Sequence, residues 1–235
     1  MASVTTTTSA DTAQVLLAGS DLPSPDALDF VARLRRARLG LIVALTGVVM
    51  IFVSYSSAYV VRQGLPTLDP RTGTLVRDWL PLQLPNFLLI NTLVLLISTL
   101  TMELARRQSA REAAAATSFS DPLSSRPRAD GMPWLALTTI LGLSFLAGQW
   151  LVWRELGASG FYLATSPSSS FFYLLTGMHG IHLLGGILAL LAASAAAILR
   201  KSAGTRGVMV DVSAWYWHFM TFLWVYILCL LEFAH

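Results

Sequence analysis

The chain has 235 residues, of which 54% are hydrophobic and 12% charged, with a formal net charge of +3. Soluble domains carry about 25% charged residues, so half that share, with a mean hydropathy of +0.61, excludes an ordinary soluble domain and points to a chain held mostly in lipid. The positive excess is not a nucleic-acid footprint, because the arginines flank apolar runs and so report on topology. A single cysteine, Cys229, excludes a disulfide framework or a cysteine metal site within the chain.

In chain order, residues 1–32 are read as a flexible tail, rich in Ala, Ser, Thr and Asp with Pro23 and Pro25. Its Val15–Ala18 run is too short for the apolar core of a secretory signal. Residues 33–235 are read as one all-α transmembrane domain. A spanning helix needs about 20 mostly apolar residues, and five segments qualify: Leu39–Val61, Pro85–Ala105, Pro133–Trp153, Phe171–Leu199 and Ser213–Phe233. None has an internal proline, and two open with one, where its missing N–H costs nothing. Runs of this length without period-2 alternation exclude an outer-membrane barrel. The loop from Arg62 to Leu84, with Pro66, Pro70 and Pro81, is expected to be an ordered external excursion. Beyond Ala105 the helix-forming stretch Arg106–Ala116 predicts that the second helix runs on past the bilayer. A flexible Ser/Pro/Asp linker follows it.

Basic residues set the orientation. Arg33, Arg35, Arg36, Arg38, Arg106, Arg107, Arg111, Arg126, Arg128, Arg200, Lys201 and Arg206 fall on one side, twelve in all, against Arg62, Arg71, Arg77 and Arg154 on the other. The bias predicts a cytoplasmic N-terminus and an external C-terminus.

Polar groups within spans are costly and mark candidate functional positions. Here they are Asn91, Glu103, Gln149, Glu155, His179, His182 and His218. Glu103 and Glu155 lie near helix ends, where water or a loop ion pair can serve them. His179 and His182 share a helix face by their i, i+3 spacing. Three roles compete for them: hydrogen bonding between helices, haem ligation, and a proton path. Unequal depth of His182 and His218 disfavours a haem held between those two. Trp215-Tyr216-Trp217-His218 is read as opening the fifth span. There it would form an aromatic belt and a lipid-binding notch in which the rings pack acyl chains and Arg206 pairs with a phosphate. Gly177, Gly180, Gly185 and Gly186 predict close helix packing around the fourth span.

Phe171-Phe172-Tyr173-Leu174-Leu175-Thr176-Gly177-Met178-His179-Gly180-Ile181-His182 resembles the sixth helix of subunit III of haem–copper respiratory oxidases, and Ala214-Trp215-Tyr216-Trp217-His218-Phe219 resembles the start of its seventh. Asn91-Thr92 with Leu95 and Ser98 resembles the fourth helix. Gly142 with Gln149 and Glu155 resembles the fifth, and Arg38-x-Gly40 the start of the third. The likeness covers residues 33–235 and matches the five-helix bacterial form. It implies a non-catalytic accessory subunit that packs on subunit I alongside subunit II, binds phospholipid, and supports proton uptake and durable turnover. It further implies no cofactor in this chain, haem and copper in subunit I, residence in the bacterial cytoplasmic membrane, and a place in a larger respiratory supercomplex. Asn91, Gln149, Gly177, His179, Gly180 and His182 would serve helix packing or the subunit interface. Two positions depart from the family: Val48 stands where a buried carboxylate is common, and Thr221 where an aspartate is common. A subunit III-like protein of nitric oxide reductase and a b-type haem electron-transfer protein remain as alternatives.

Overall fold

The computed structural model describes residues 25–68, 71–76, 79, 85–117, 131–163, 165–199 and 201–233. Most of the expected tail, the linker after Thr117 and the C-terminal His235 therefore lie outside the described residues.

Five helices carry the fold: α1 (Pro25–Gly64), α2 (Phe87–Thr117), α3 (Met132–Ala158), α4 (Pro167–Ile198) and α5 (Ala203–Phe233). All five are long and apolar enough to cross a membrane, and the chain is a multi-pass membrane protein. A helix satisfies its own backbone polar groups, which lipid cannot. Each predicted span falls on one helix, with only Pro85, Asn86 and Leu199 just outside the helix ends, and α2 continues to Thr117 as its composition predicts. Two starts differ from the sequence reading. α1 begins at Pro25, and Phe30 packs against Gly204 and Gly207 at the head of α5. α5 begins at Ala203, ten residues ahead of Ser213. Gly204 and Gly207 make that stretch look like loop. They are instead seats for Phe30, and the Ser202 hydroxyl accepts the Thr205 N–H at 3.4 Å as a cap.

Between α1 and α2, strands β1 (Thr67–Leu68) and β2 (Leu75–Val76) pair antiparallel, with Gly73 at φ +67° in the turn. Trp79 then docks edge-on against Tyr59 with ring centroids 5.1 Å apart, and Tyr59 meets Phe171 of α4 at 5.7 Å. The described part of the excursion is thus ordered. At the start of α4, Ser166 and Ser169 form a capping box.

Helices α2, α3, α4 and α5 form a ring, each packed on its two neighbours, and α1 lies in the seam between α4 and α5. α1 is peripheral: 11% of its most apolar window is buried, against 44% for α5. Glycines shape the ring by receiving side chains. Gly142 accepts the Trp217 ring, Gly148 the Asn91 amide, and Gly186 both Tyr216 and Trp217. On α4 the sequence reading predicts close helix packing at the glycines. The structure seats aromatic rings there: Trp153 over Gly177, and Tyr216 beside Gly185 and Gly186.

A Cβ at Gly142 would fall 2.6 Å from the Trp217 ring, whereas one at Gly47 meets nothing within 4 Å. Gly142→Ala is therefore expected to destabilise the purified chain by about 1–3 kcal/mol and Gly47→Ala to leave it unchanged, read from thermal unfolding in detergent. Equal transitions for the two variants would show that the indole can move aside.

Candidate functional site

Three features hold the chemistry: a charged end, a hydroxyl-lined seam, and the histidines.

At the charged end, Glu103, Arg106 and Arg107 fall on one face of α2 by i, i+3 and i, i+4 spacing. Arg106 donates to both Glu103 oxygens at 2.8 and 2.9 Å, and Arg107 adds a bond at 2.8 Å. Arg38 of α1 grips Asp211 of α5 in a fork at 2.8 and 2.9 Å, and Arg106 Nη1 approaches the same carboxylate at 3.5 Å. His218 Nε2 lies 3.4 Å from Glu103. The groups run in series, His218–Glu103–Arg106–Asp211–Arg38, across three helices. Arg38 also sits 5.8 Å from the centre of the Trp215 ring, within cation–π range. Further toward the end of α2, Glu112 pairs with Arg206 at 3.4 Å. Arg38, Arg106, Arg107 and Arg206, which the topology argument assigns to one side, gather in this region.

The seam runs through α2. Trp217 Nε1 donates to Ser98 Oγ at 2.9 Å, and Trp224 Nε1 donates to Thr92 Oγ1 at 3.0 Å. Thr99 and Thr221 hydroxyls meet at 2.9 Å, and those of Thr101 and Thr138 at 2.8 Å. Asn91 Nδ2 donates to the Phe145 carbonyl at 3.1 Å. Such bonds between helices contribute modestly but directionally in lipid, where no water competes.

The histidines separate. His179 is fully buried between Phe145 and Trp224, with ring centroids 6.1 and 5.0 Å away, and neither ring nitrogen has a hydrogen-bond partner. His182 Nδ1–H donates to the Met178 carbonyl of its own helix at 2.7 Å, and its ring meets Phe52 of α1 edge-on at 5.8 Å. Of the three competing roles, hydrogen bonding between helices is not made by the His179 or His182 ring. His179 packs by ring contact, and the α4–α5 link is made by Tyr216 Oη–H donating to the His182 carbonyl at 2.8 Å. His218 faces α2 while His182 faces α1, so the two rings do not converge on one ligand. Among the described residues no three His, Cys, Asp or Glu side chains are grouped to hold a metal ion.

The aromatic quartet divides around α5. Trp215 points outward at 53% exposure, but Trp217 is sealed at 0%, which leaves it no surface for an acyl chain. Because α5 starts at Ala203, the quartet lies three turns inside the helix instead of opening it. Arg206 is committed to Glu112, with its side chain only 14% exposed, and not free for an external phosphate. Asn91, Gln149, Gly177, His179 and Gly180 face neighbouring helices of this chain. Gly177 takes Trp153, Gly180 faces Leu146, and Gln149 is buried without a hydrogen-bond partner. Val48 is half-buried against the core, and Thr221 is occupied by Thr99 and the Trp217 carbonyl at 3.0 Å.

A comparison with known proteins now decides the family: the model for Cytochrome c oxidase subunit III matches residues 30–233. The chain belongs to the cytochrome c oxidase subunit III family. It is similar to a probable cytochrome c oxidase subunit 3 of Mycobacterium leprae, 33% identical over 92 residues that cover 39% of this chain and 46% of that protein. A probable subunit 3 of Nocardia farcinica is 30% identical over 92 residues, 39% of this chain and 45% of that protein. The cytochrome c oxidase subunit 3 of Danio rerio is 29% identical over 195 residues, 81% of this chain and 66% of that protein. The chain thus spans under half the length of the Mycobacterium and Nocardia relatives it matches.

Sequence reasoning passed over Asp211, Gly148 and the Thr99 and Thr101 hydroxyls of α2. Asp211 stands one turn before Trp215, in a stretch whose glycines suggest loop. Its carboxylate serves two arginines, so Asp211→Ala leaves Arg38 and Arg106 to repel each other. A double-mutant cycle between Arg38→Ala and Asp211→Ala is expected to give a coupling of about 1 kcal/mol, measured by chemical denaturation in detergent. No coupling would mean that the fork adds nothing to the fold.

Proposed function

We propose that this chain is a non-catalytic accessory subunit of a proton-pumping haem–copper terminal oxidase, in which the whole complex reduces dioxygen to water. It packs on the catalytic subunit I, in company with subunit II, and sustains proton uptake and turnover. One observation carries this reading: the family match runs through all five spans while the imidazoles of His179, His182 and His218 are taken up by contacts within the chain. Haem and copper belong to subunit I on this reading, and the setting is a bacterial cytoplasmic membrane with the charged end inside. The complex joins a larger respiratory assembly, and no nucleic acid is involved.

The proposal includes a phospholipid at the charged end, carried by Trp215, with Tyr216 and His218 beside it. Arg38, 5.8 Å from the Trp215 ring and 41% exposed beyond its fork with Asp211, offers its outer edge to a headgroup phosphate where the enclosed Arg206 does not, and the outward indole offers a face to an acyl chain.

In the intact oxidase, His179→Ala and His182→Ala are expected to lower the recovery of this subunit with the complex while leaving the haem spectrum of assembled enzyme unchanged. A lost haem signal in complexes that retain the chain would contradict the accessory role. Trp215→Ala is expected to reduce the phospholipid retained per complex in lipid mass spectrometry. Unchanged retention would count against the lipid site.

A further inference from the structure

We infer that the charged end holds one ordered water between Glu112 and Arg206, and that Gly131 is the residue that leaves room for it. A cavity of about 20 Å³ opens among four helices, lined by Ser109 and Glu112 of α2, Gly131 and Met132 at the head of α3, and Arg206 and Val210 of α5, with Ala193 and Ala197 of α4 closing it. Two polar atoms around it are sealed from solvent and have no hydrogen-bond partner: Glu112 Oε1 and Arg206 Nε. One is an acceptor and the other a donor. Buried polar atoms without a partner are rare and costly.

The ion pair itself does not meet this need. Glu112 Oε2 and Arg206 Nη2 stand 3.4 Å apart, well beyond the roughly 2.7–2.9 Å of a charge-assisted bond. The chemistry selects the occupant. One full positive and one full negative charge face the space, so an added anion is repelled by Glu112 and an added cation by Arg206. A small neutral molecule that donates and accepts at once fits both. A water site needs about 10–15 Å³ of probe-occupied space, which this cavity supplies and which a phosphate group would exceed. Ser109 Oγ on the same wall is a third polar neighbour, in keeping with the two to four partners buried waters take.

Gly131 explains why the space persists. Its φ of −79° is open to any residue, so its backbone does not require glycine. A Cβ there would stand 3.3 Å from Ser109 Oγ and 3.9 Å from Glu112 Oε1, intruding on the water's position. The water thereby ties the part of α2 beyond the bilayer to α5, at the point where the chain re-enters α3.

The test is a structure of the assembled complex at a resolution that shows other interior waters. A single compact peak within hydrogen-bond distance of both Glu112 Oε1 and Arg206 Nε is expected. Direct closure of the two side chains with no peak would overturn the inference, as would elongated density continuing to the surface from a lipid headgroup. In the Gly131→Ala complex the peak should vanish and the unfolding temperature fall. A retained peak with unchanged stability would overturn the role given to Gly131.

Discussion

The indole of Trp217 joins all four helices of the ring. It springs from α5, donates its N–H to Ser98 of α2, lies over Gly142 of α3 and touches Gly186 of α4. In lipid there is little hydrophobic force to hold helices together, because the surroundings are as apolar as the core. Shape and directed hydrogen bonds must do it. Two glycines give the ring its seat, and one hydroxyl fixes its rotation. Two turns on, Trp224 repeats the device with Thr92 and Phe145, and there His179 completes the layer. The two tryptophans form a ladder along α5 that sets the register of α2.

That ladder bears on function. The His179 imidazole is enclosed by Phe145 and Trp224 and serves the packing of this layer. His182 and His218, turned toward different helices, cannot act as a pair. The interior is built for packing, and at one end ion pairs connect α1, α2 and α5. α1 has few apolar contacts with the ring for its length. The Arg38–Asp211 fork and the Phe30 contact at Gly204 and Gly207 therefore matter more for α1 than similar contacts would for a buried helix.

Much of this was legible in the sequence. Apolar length located every span, and the arginines drew attention to one end of the bundle. The Gly-Met-His-Gly-Ile-His and Trp-Tyr-Trp-His motifs marked α4 and α5 as belonging to the oxidase subunit family. What escaped has physical reasons. Gly204 and Gly207 resemble loop residues, because a composition pattern cannot show that Phe30, about 170 positions earlier, needs the space beside them. Four adjacent aromatic residues suggest a belt, yet at roughly 100° per residue Trp215 and Trp217 must point in different directions. One meets the surroundings and the other the core. Thr92 and Ser98 of α2 belong to a family pattern that does not say what their hydroxyls bind. Their importance appears only when the tryptophans that use them are placed opposite.

The central claim is that this chain is structural within an enzyme whose redox centres lie elsewhere. The most direct measurement is purification through this chain in mild detergent, identification of the co-purifying subunits, and optical spectra before and after the chain is separated from them. The account predicts that haem-bearing oxidase subunits accompany the chain and that the separated chain shows no Soret band. A Soret band stoichiometric with the isolated chain would contradict it.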